Sequence, residues 1–76
     1  MSQREINITK FKKGFSANLK KLREIKGLFQ AEVAVKLGLP VSTYANWEQG
    51  RTEPSVYDIY GIIKALEIEA NDLFDF

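Results

Sequence analysis

Three glycines, Gly27, Gly38 and Gly50, each follow a short run whose apolar residues recur every three or four positions. That recurrence marks one face of a helix, and a glycine just past it is a common way for a helix to stop. The chain therefore reads as a series of short helices. Phe11, Phe15, Leu19, Leu22 and Ile25 trace a first buried face that ends at Gly27. A second helix, from about Gln30 to Leu37, buries Val33, Ala34 and Leu37 and stops at Gly38. After Gly38-Leu39-Pro40 a third runs from about Val41 to Gln49, with Tyr44 and Trp47 facing inward. Ser55 and Asp58 have the spacing of a capping box and open a fourth, whose buried face is Val56, Ile59, Ile62, Ile63 and Leu66. Ala70 to Phe74 form a last turn or two that returns Leu73 and Phe74 to the core, and no stretch alternates with the period of a strand. The expected class is all-α. Residues 1–9, polar with Ile6 and Ile8 alternating, are expected to form a flexible arm before a single domain over residues 10–76. Phe29 stands where a capping side chain is expected, so the second helix must start on packing or on another acceptor.

At 76 residues there is room for one small core and not for a deep substrate cavity as well. The chain has no Cys and no His, which removes disulfides, thiol and Ser-His catalysis and the usual zinc sites. Its carboxylates show no calcium-loop spacing, and there is no Gly-rich phosphate loop. No enzyme, metal site or cofactor is expected. Neither secretion nor a membrane span is expected, and a cytoplasmic location fits the absence of Cys. The net charge is only +1, but it is unevenly spread. Residues 1–26 hold eight bases against two acids, and residues 27–76 hold three bases against eight acids. Such a dipole can turn a positive side toward a polyanion.

Two short helices joined by a three-residue turn containing Gly form a helix-turn-helix pattern. Counting from Gln30, a small residue falls four positions later at Ala34, glycine at Gly38, and aromatic anchors at Tyr44 and Trp47. Ala34 is small where two helices cross, and Gly38 accepts a turn geometry that a side chain resists. With Leu22-Arg23, Gly27-Leu28-Phe29-Gln30, Leu37-Gly38-Leu39, Ser42-Thr43-Tyr44, Trp47-Glu48-Gln49-Gly50-Arg51, Pro54-Ser55 and Leu66-Glu67-Ile68, the chain resembles the Cro/C1-type (Xre-like) regulators from about Phe15 to Phe74. The resemblance implies a five-helix, lambda-repressor-like domain that binds DNA in bacteria or their phages. In that family Ser or Thr often stands where Phe29 and Pro40 stand here, and Gly where Glu67 stands.

A helix lying in the major groove reads bases with residues near its N-terminus and along one face. With Tyr44 and Trp47 inward, the outward face holds Val41, Ser42, Ala45, Asn46 and Gln49. Asn46 is the leading base reader, because a carboxamide can bond adenine N6 and N7 together; Val41 suits a thymine methyl. The alternative is a merely solvated polar face. Gln30 is similar to the family's phosphate-binding glutamine, at a helix start that itself attracts anions. Arg51, Thr43 and Lys36 are further candidates for backbone contact. The resemblance also implies that Arg23 and Glu48 form a partly buried ion pair that holds the recognition helix, with Ala34, Tyr44 and Trp47 as core anchors.

The expected function is a sequence-specific, double-stranded DNA-binding transcriptional regulator, a repressor acting as a homodimer on a two-fold operator and associated with the nucleoid when bound. Leu73, Phe74 and Phe76 could supply the dimer surface or belong to the core. The competing reading is a protein-interaction module, such as an antitoxin or adaptor, which an exposed apolar patch near Phe11, Phe15 or Phe76 would favour.

Overall fold

The computed structural model describes residues 3–76, with the side chains of Arg4 and of Asn7 onward. Five helices follow one another: α1 (Gln3–Ile25), α2 (Gln30–Leu37), α3 (Val41–Glu48), α4 (Val56–Leu66) and α5 (Ala70–Leu73). Among the described residues there is no strand, and no helix is long and apolar enough to cross a membrane. The shorter helices pack around the C-terminal half of α1, over a core of Phe15, Leu19, Val33, Tyr44, Ile62 and Leu66, with Ala34, Trp47 and Leu73.

α1 departs most from expectation. Helix begins at Gln3, so the arm expected over residues 1–9 is helical wherever it is described; Met1 and Ser2 lie outside the described residues. No Gly or Pro interrupts residues 3–13, so helix nucleated on the packed half propagates toward the N-terminus. Ile8, Phe11 and Phe15 continue a helical stripe that the alternation of Ile6 and Ile8 obscured. At a rise of about 1.5 Å per residue the helix is about 34 Å long. That length accounts for most of the 38 Å long axis of the molecule.

Both ends of the expected α1 face lie outside the core. Ile25 is 66% exposed, because the turn at Gly27 brings Leu28 back against the core instead. Phe11 is 42% exposed, one turn beyond buried Phe15. On α4, Val56 is exposed in the first turn, while Ile59, Ile62, Ile63 and Leu66 pack as expected. Phe74 does not enter the core. It lies at the rim against the rings of Phe11 and Phe15, with centroids 6.4 and 5.9 Å away. Leu73 is completely buried and so is core, unavailable for a dimer surface. Phe76 crosses α1 at Gly14, where a Cβ would overlap the Phe76 ring.

Local chemistry explains the helix ends. Ser55 and Asp58 form the expected box: the Asp58 amide donates to Ser55 Oγ at 3.1 Å, and the Ser55 amide to Asp58 Oδ2 at 3.3 Å. The Phe29 side chain offers no cap for α2, and only the reciprocal half of a capping box is present, in which Glu32 Oε1 accepts from the Phe29 amide at 2.8 Å. Asn18, on the buried face of α1, donates its amide to the carbonyls of Asp72 and Leu73 at 2.9 and 2.7 Å, pinning α5 to α1.

Glu67 ends α4 with φ 54° and ψ 49°, the only non-glycine with positive φ among the described residues. A side chain in the left-handed region costs about 1 kcal/mol or more relative to glycine. The backbone bonds at this corner, from the Glu67 and Ile68 amides to Lys64 O and Ile63 O, do not need the side chain. We therefore expect Glu67→Gly to stabilise the domain by about 1 kcal/mol, read as a rise of about 4–8 °C in Tm. An unchanged or lowered Tm in calorimetry would contradict this account of the corner.

Candidate nucleic-acid interface

The unit formed by α2 and α3 turns on Gly38, whose φ of 70° lets the chain reverse. Its amide donates to Val35 O and that of Leu39 to Ala34 O, so the end of α2 is closed before Pro40 starts α3. α3 begins at Val41 and ends at Glu48, with Gln49 as its C-cap. Helix ends read from sequence at about 41 and 49 therefore hold to within a residue.

From behind, α3 is held by three of its own residues. Tyr44 and Trp47 are buried and meet edge-to-face, with centroids 5.9 Å apart and planes at 70°. Glu48 is buried beside them and forms a bidentate pair with Arg23 of α1, at 2.7 Å from Nε to Oε2 and 3.0 Å from Nη2 to Oε1. The remaining guanidinium nitrogen, Nη1, donates to Leu28 O at 2.8 Å. Gln30 Nε2 donates to Glu48 Oε1 at 3.0 Å. One carboxylate thus ties α1, the start of α2 and the end of α3 together. Burial alone raises the pKa of Glu48, but hydrogen bonds from Arg23 and Gln30 outweigh it and hold the carboxyl below its ordinary value of 4.5. Its hydrogen bond to Glu48 raises the pKa of Arg23 against the opposing effect of burial. The buried Tyr44 phenol is pushed up, chiefly by burial.

From the front, α3 is open. Val41, Ser42 and Gln49 are exposed, and Asn46 and Ala45 are half-buried between them. Ser42, Asn46 and Gln49 follow one another at the helical period, so their polar groups form one stripe along the outer face. Thr43 is half-buried, and its amide donates to Pro40 O. Arg51 is exposed just past Gly50, and its amide donates to Asn46 O at 3.0 Å, which fixes the backbone from which its side chain departs. The candidate phosphate ligands are not all gathered here. Lys36 lies in a groove between α2 and α4 with Leu37, Tyr57, Tyr60 and Lys64. Gln30 spends one amide hydrogen on Glu48, and Glu32 already places a carboxylate at the start of α2.

Sequence reasoning missed the cleft where α3 meets α1, lined by Thr9, Lys12, Lys13, Ser16, Gln49 and Gly50. It also missed Asn18, whose signal was a polar residue three positions after Phe15 within an otherwise apolar stripe.

The helix-turn-helix family model HTH_3 matches residues 19–73. The crystal structure of the restriction-modification controller protein C.AhdI from Aeromonas hydrophila is similar in fold, with a TM-score of 0.79 and 35% identity over 83% of this chain and 96% of that one. No curated protein sequence matches the chain. The chain belongs to the Cro/C1-type helix-turn-helix family of DNA-binding transcription regulators.

Because the Glu48 pKa is depressed in the folded state, the carboxylate stabilises the fold fully above its ordinary range, and this contribution is lost as pH falls through the lower folded value. We expect Glu48→Gln to lower stability by about 3–5 kcal/mol at neutral pH, since Arg23 keeps a buried charge without its partner. Its urea midpoint should also fall less steeply than that of the parent below pH 5. Parallel acid limbs for the two proteins would refute this.

Proposed function

We propose that the chain reads a specific two-fold operator as a dimer, laying α3 of each copy in the major groove, and acts as a repressor. The observation that carries this reading is the division of α3 into two faces. Tyr44, Trp47 and Glu48 lock one face to the core, while Val41, Ser42, Asn46 and Gln49 leave the other open. A helix fixed on one side presents its outer side chains with little orientational freedom, as discrimination between base pairs requires. One helix reads only a few base pairs, so two copies about one helical turn apart supply useful specificity. A dimer seated on promoter DNA excludes other proteins from it, which supports repression.

In this reading Asn46 bonds an adenine edge, with Val41, Ser42, Ala45 and Gln49 beside it. Gln30, Thr43 and Arg51 take backbone phosphates. Gln30 keeps a second amide hydrogen for the phosphate while the first holds Glu48. Lys36, in the groove between α2 and α4, adds at most long-range attraction to DNA. The likeness to a restriction-modification controller favours genes of a restriction-modification system as the regulated set.

Selection from random duplexes at about 0.15 M salt tests the central claim, because non-specific attraction is already partly screened there. A two-fold motif should be enriched; no enrichment would refute it. On the selected site, Asn46→Ala should cost about 1–3 kcal/mol and relax one base position in each half-site, leaving non-specific binding intact. An equal loss on all duplexes would assign Asn46 to the backbone instead. Arg51→Ala should weaken every duplex alike and reduce the salt slope by about one unit, whereas a sequence-dependent loss would make Arg51 a base reader. A reporter placed behind the selected operator should fall in output as the protein rises, and a rise in output would overturn the repressor assignment.

A further inference from the structure

A cleft opens where the C-terminal end of α3 meets α1. Its lining is Thr9, Lys12, Lys13 and Ser16 of α1, with Gln49 and Gly50. These residues bring two ammonium groups, two hydroxyls and a carboxamide to one place, and no carboxylate. The floor is fixed. Ser16 is buried, its hydroxyl donates to Lys13 O at 3.3 Å, and a Cβ added at Gly50 would stand 3.4 Å from Ser16 Oγ. Gly50 thus lets α1 close on the end of α3 with no side chain filling the space between them. Lys12 leans toward Glu53, with 3.5 Å between Nζ and Oε1. Exposed Lys13 has no ion-pair partner among the described residues, so its charge is uncompensated within them.

We propose that Lys13, aided by Lys12 and Gln49, binds a backbone phosphate of duplex DNA at the edge of the groove that α3 enters; the inference rests on the groove-reading pose of α3 above. Position favours this ligand over a free anion. Gln49 closes the outer stripe begun by Ser42 and Asn46, so a duplex lying on that stripe passes the mouth of the cleft. At about 1.5 Å per residue the eight residues of α3 span about 12 Å. The major groove is also about 12 Å wide, so a helix that meets bases with its N-terminal residues brings its far end toward the phosphates at the rim. An ammonium group held there binds a phosphate oxygen and releases the cation that neutralised it. Exposed Lys10 and Lys12 add to the local positive potential. Lys12 and Lys13 precede residues 19–73, which the helix-turn-helix family model matches, so the contact is an addition made by the N-terminal half of α1.

The test measures binding of the full chain to its selected operator across a range of salt, for Lys13→Gln and for Lys10→Gln. The second variant removes the same charge from α1 outside the cleft. Both positions are exposed, so circular dichroism should show both variants folded. Loss of one phosphate contact in Lys13→Gln should flatten the slope of log affinity against log salt by about 0.9, and weaken binding about fivefold at about 0.15 M salt. Lys13→Arg should restore both, and Lys10→Gln should leave the slope nearly unchanged. Ethylation of operator phosphates locates the contact: in each half-site one ethylated phosphate should weaken binding of the parent and make no difference to Lys13→Gln. Equal slopes for Lys13→Gln and Lys10→Gln, or the absence of such a phosphate, would overturn the contact while leaving α3 as the reader. A parent that selects no site from random duplexes would overturn the pose of α3 and this contact together.

Discussion

The placement of α3 depends on one buried ion pair. Arg23 and Glu48 are 25 residues apart in sequence, and their bidentate contact fixes both the distance and the rotation of α3 relative to α1. A single-point contact would fix only the distance. Gln30 adds a third helix to the same carboxylate. Such a pair does not have to make the fold more stable than an apolar substitute would, since taking two charges from water is costly. Its value here is geometric, because it sets where α3 lies against the core, and in the proposed reading a helix misplaced by an ångström loses its hydrogen bonds to the groove.

Charge and shape are divided along the same axis. The basic half of the sequence is almost entirely α1, whose C-terminal part is a wall of the core and whose N-terminal part projects beyond it. Lys12 reaches Glu53 across the α3–α4 loop at 3.5 Å, a surface contact of small energetic value. Lys12 and Lys13 also flank the end of α3 through the cleft at Gly50. The long helix thus carries positive charge toward the region where α3 ends.

The two central helices were legible in the sequence because Gly38, Ala34, Tyr44 and Trp47 each answer a steric demand that few residues satisfy. Ser55 and Asp58 announced α4 by their hydrogen bonds for the same reason. The N-terminal half of α1 was not legible, because polar residues there carry no burial signal and Ile6 and Ile8 suggested a different period. The misreadings at Ile25, Val56 and Phe74 share one cause: periodicity tells which face is apolar, but not how far along the helix the neighbours extend. At the candidate site, the outer face of α3 followed directly from knowing which residues point inward. Lys36 did not follow, since its partners on α4 are more than twenty residues away in the chain.

The two faces of α3 are interleaved in sequence yet share almost no side chains. Tyr44, Trp47 and Glu48 meet the protein's own requirements, and Val41, Ser42 and Gln49 are exposed outside the core cluster. Substitution on the outer face therefore carries little folding penalty. If α3 reads bases as proposed, descendants of such a chain can drift to new DNA targets by a few codon changes on an unaltered scaffold, and half-buried Asn46 is the position where such drift would meet a cost to the fold.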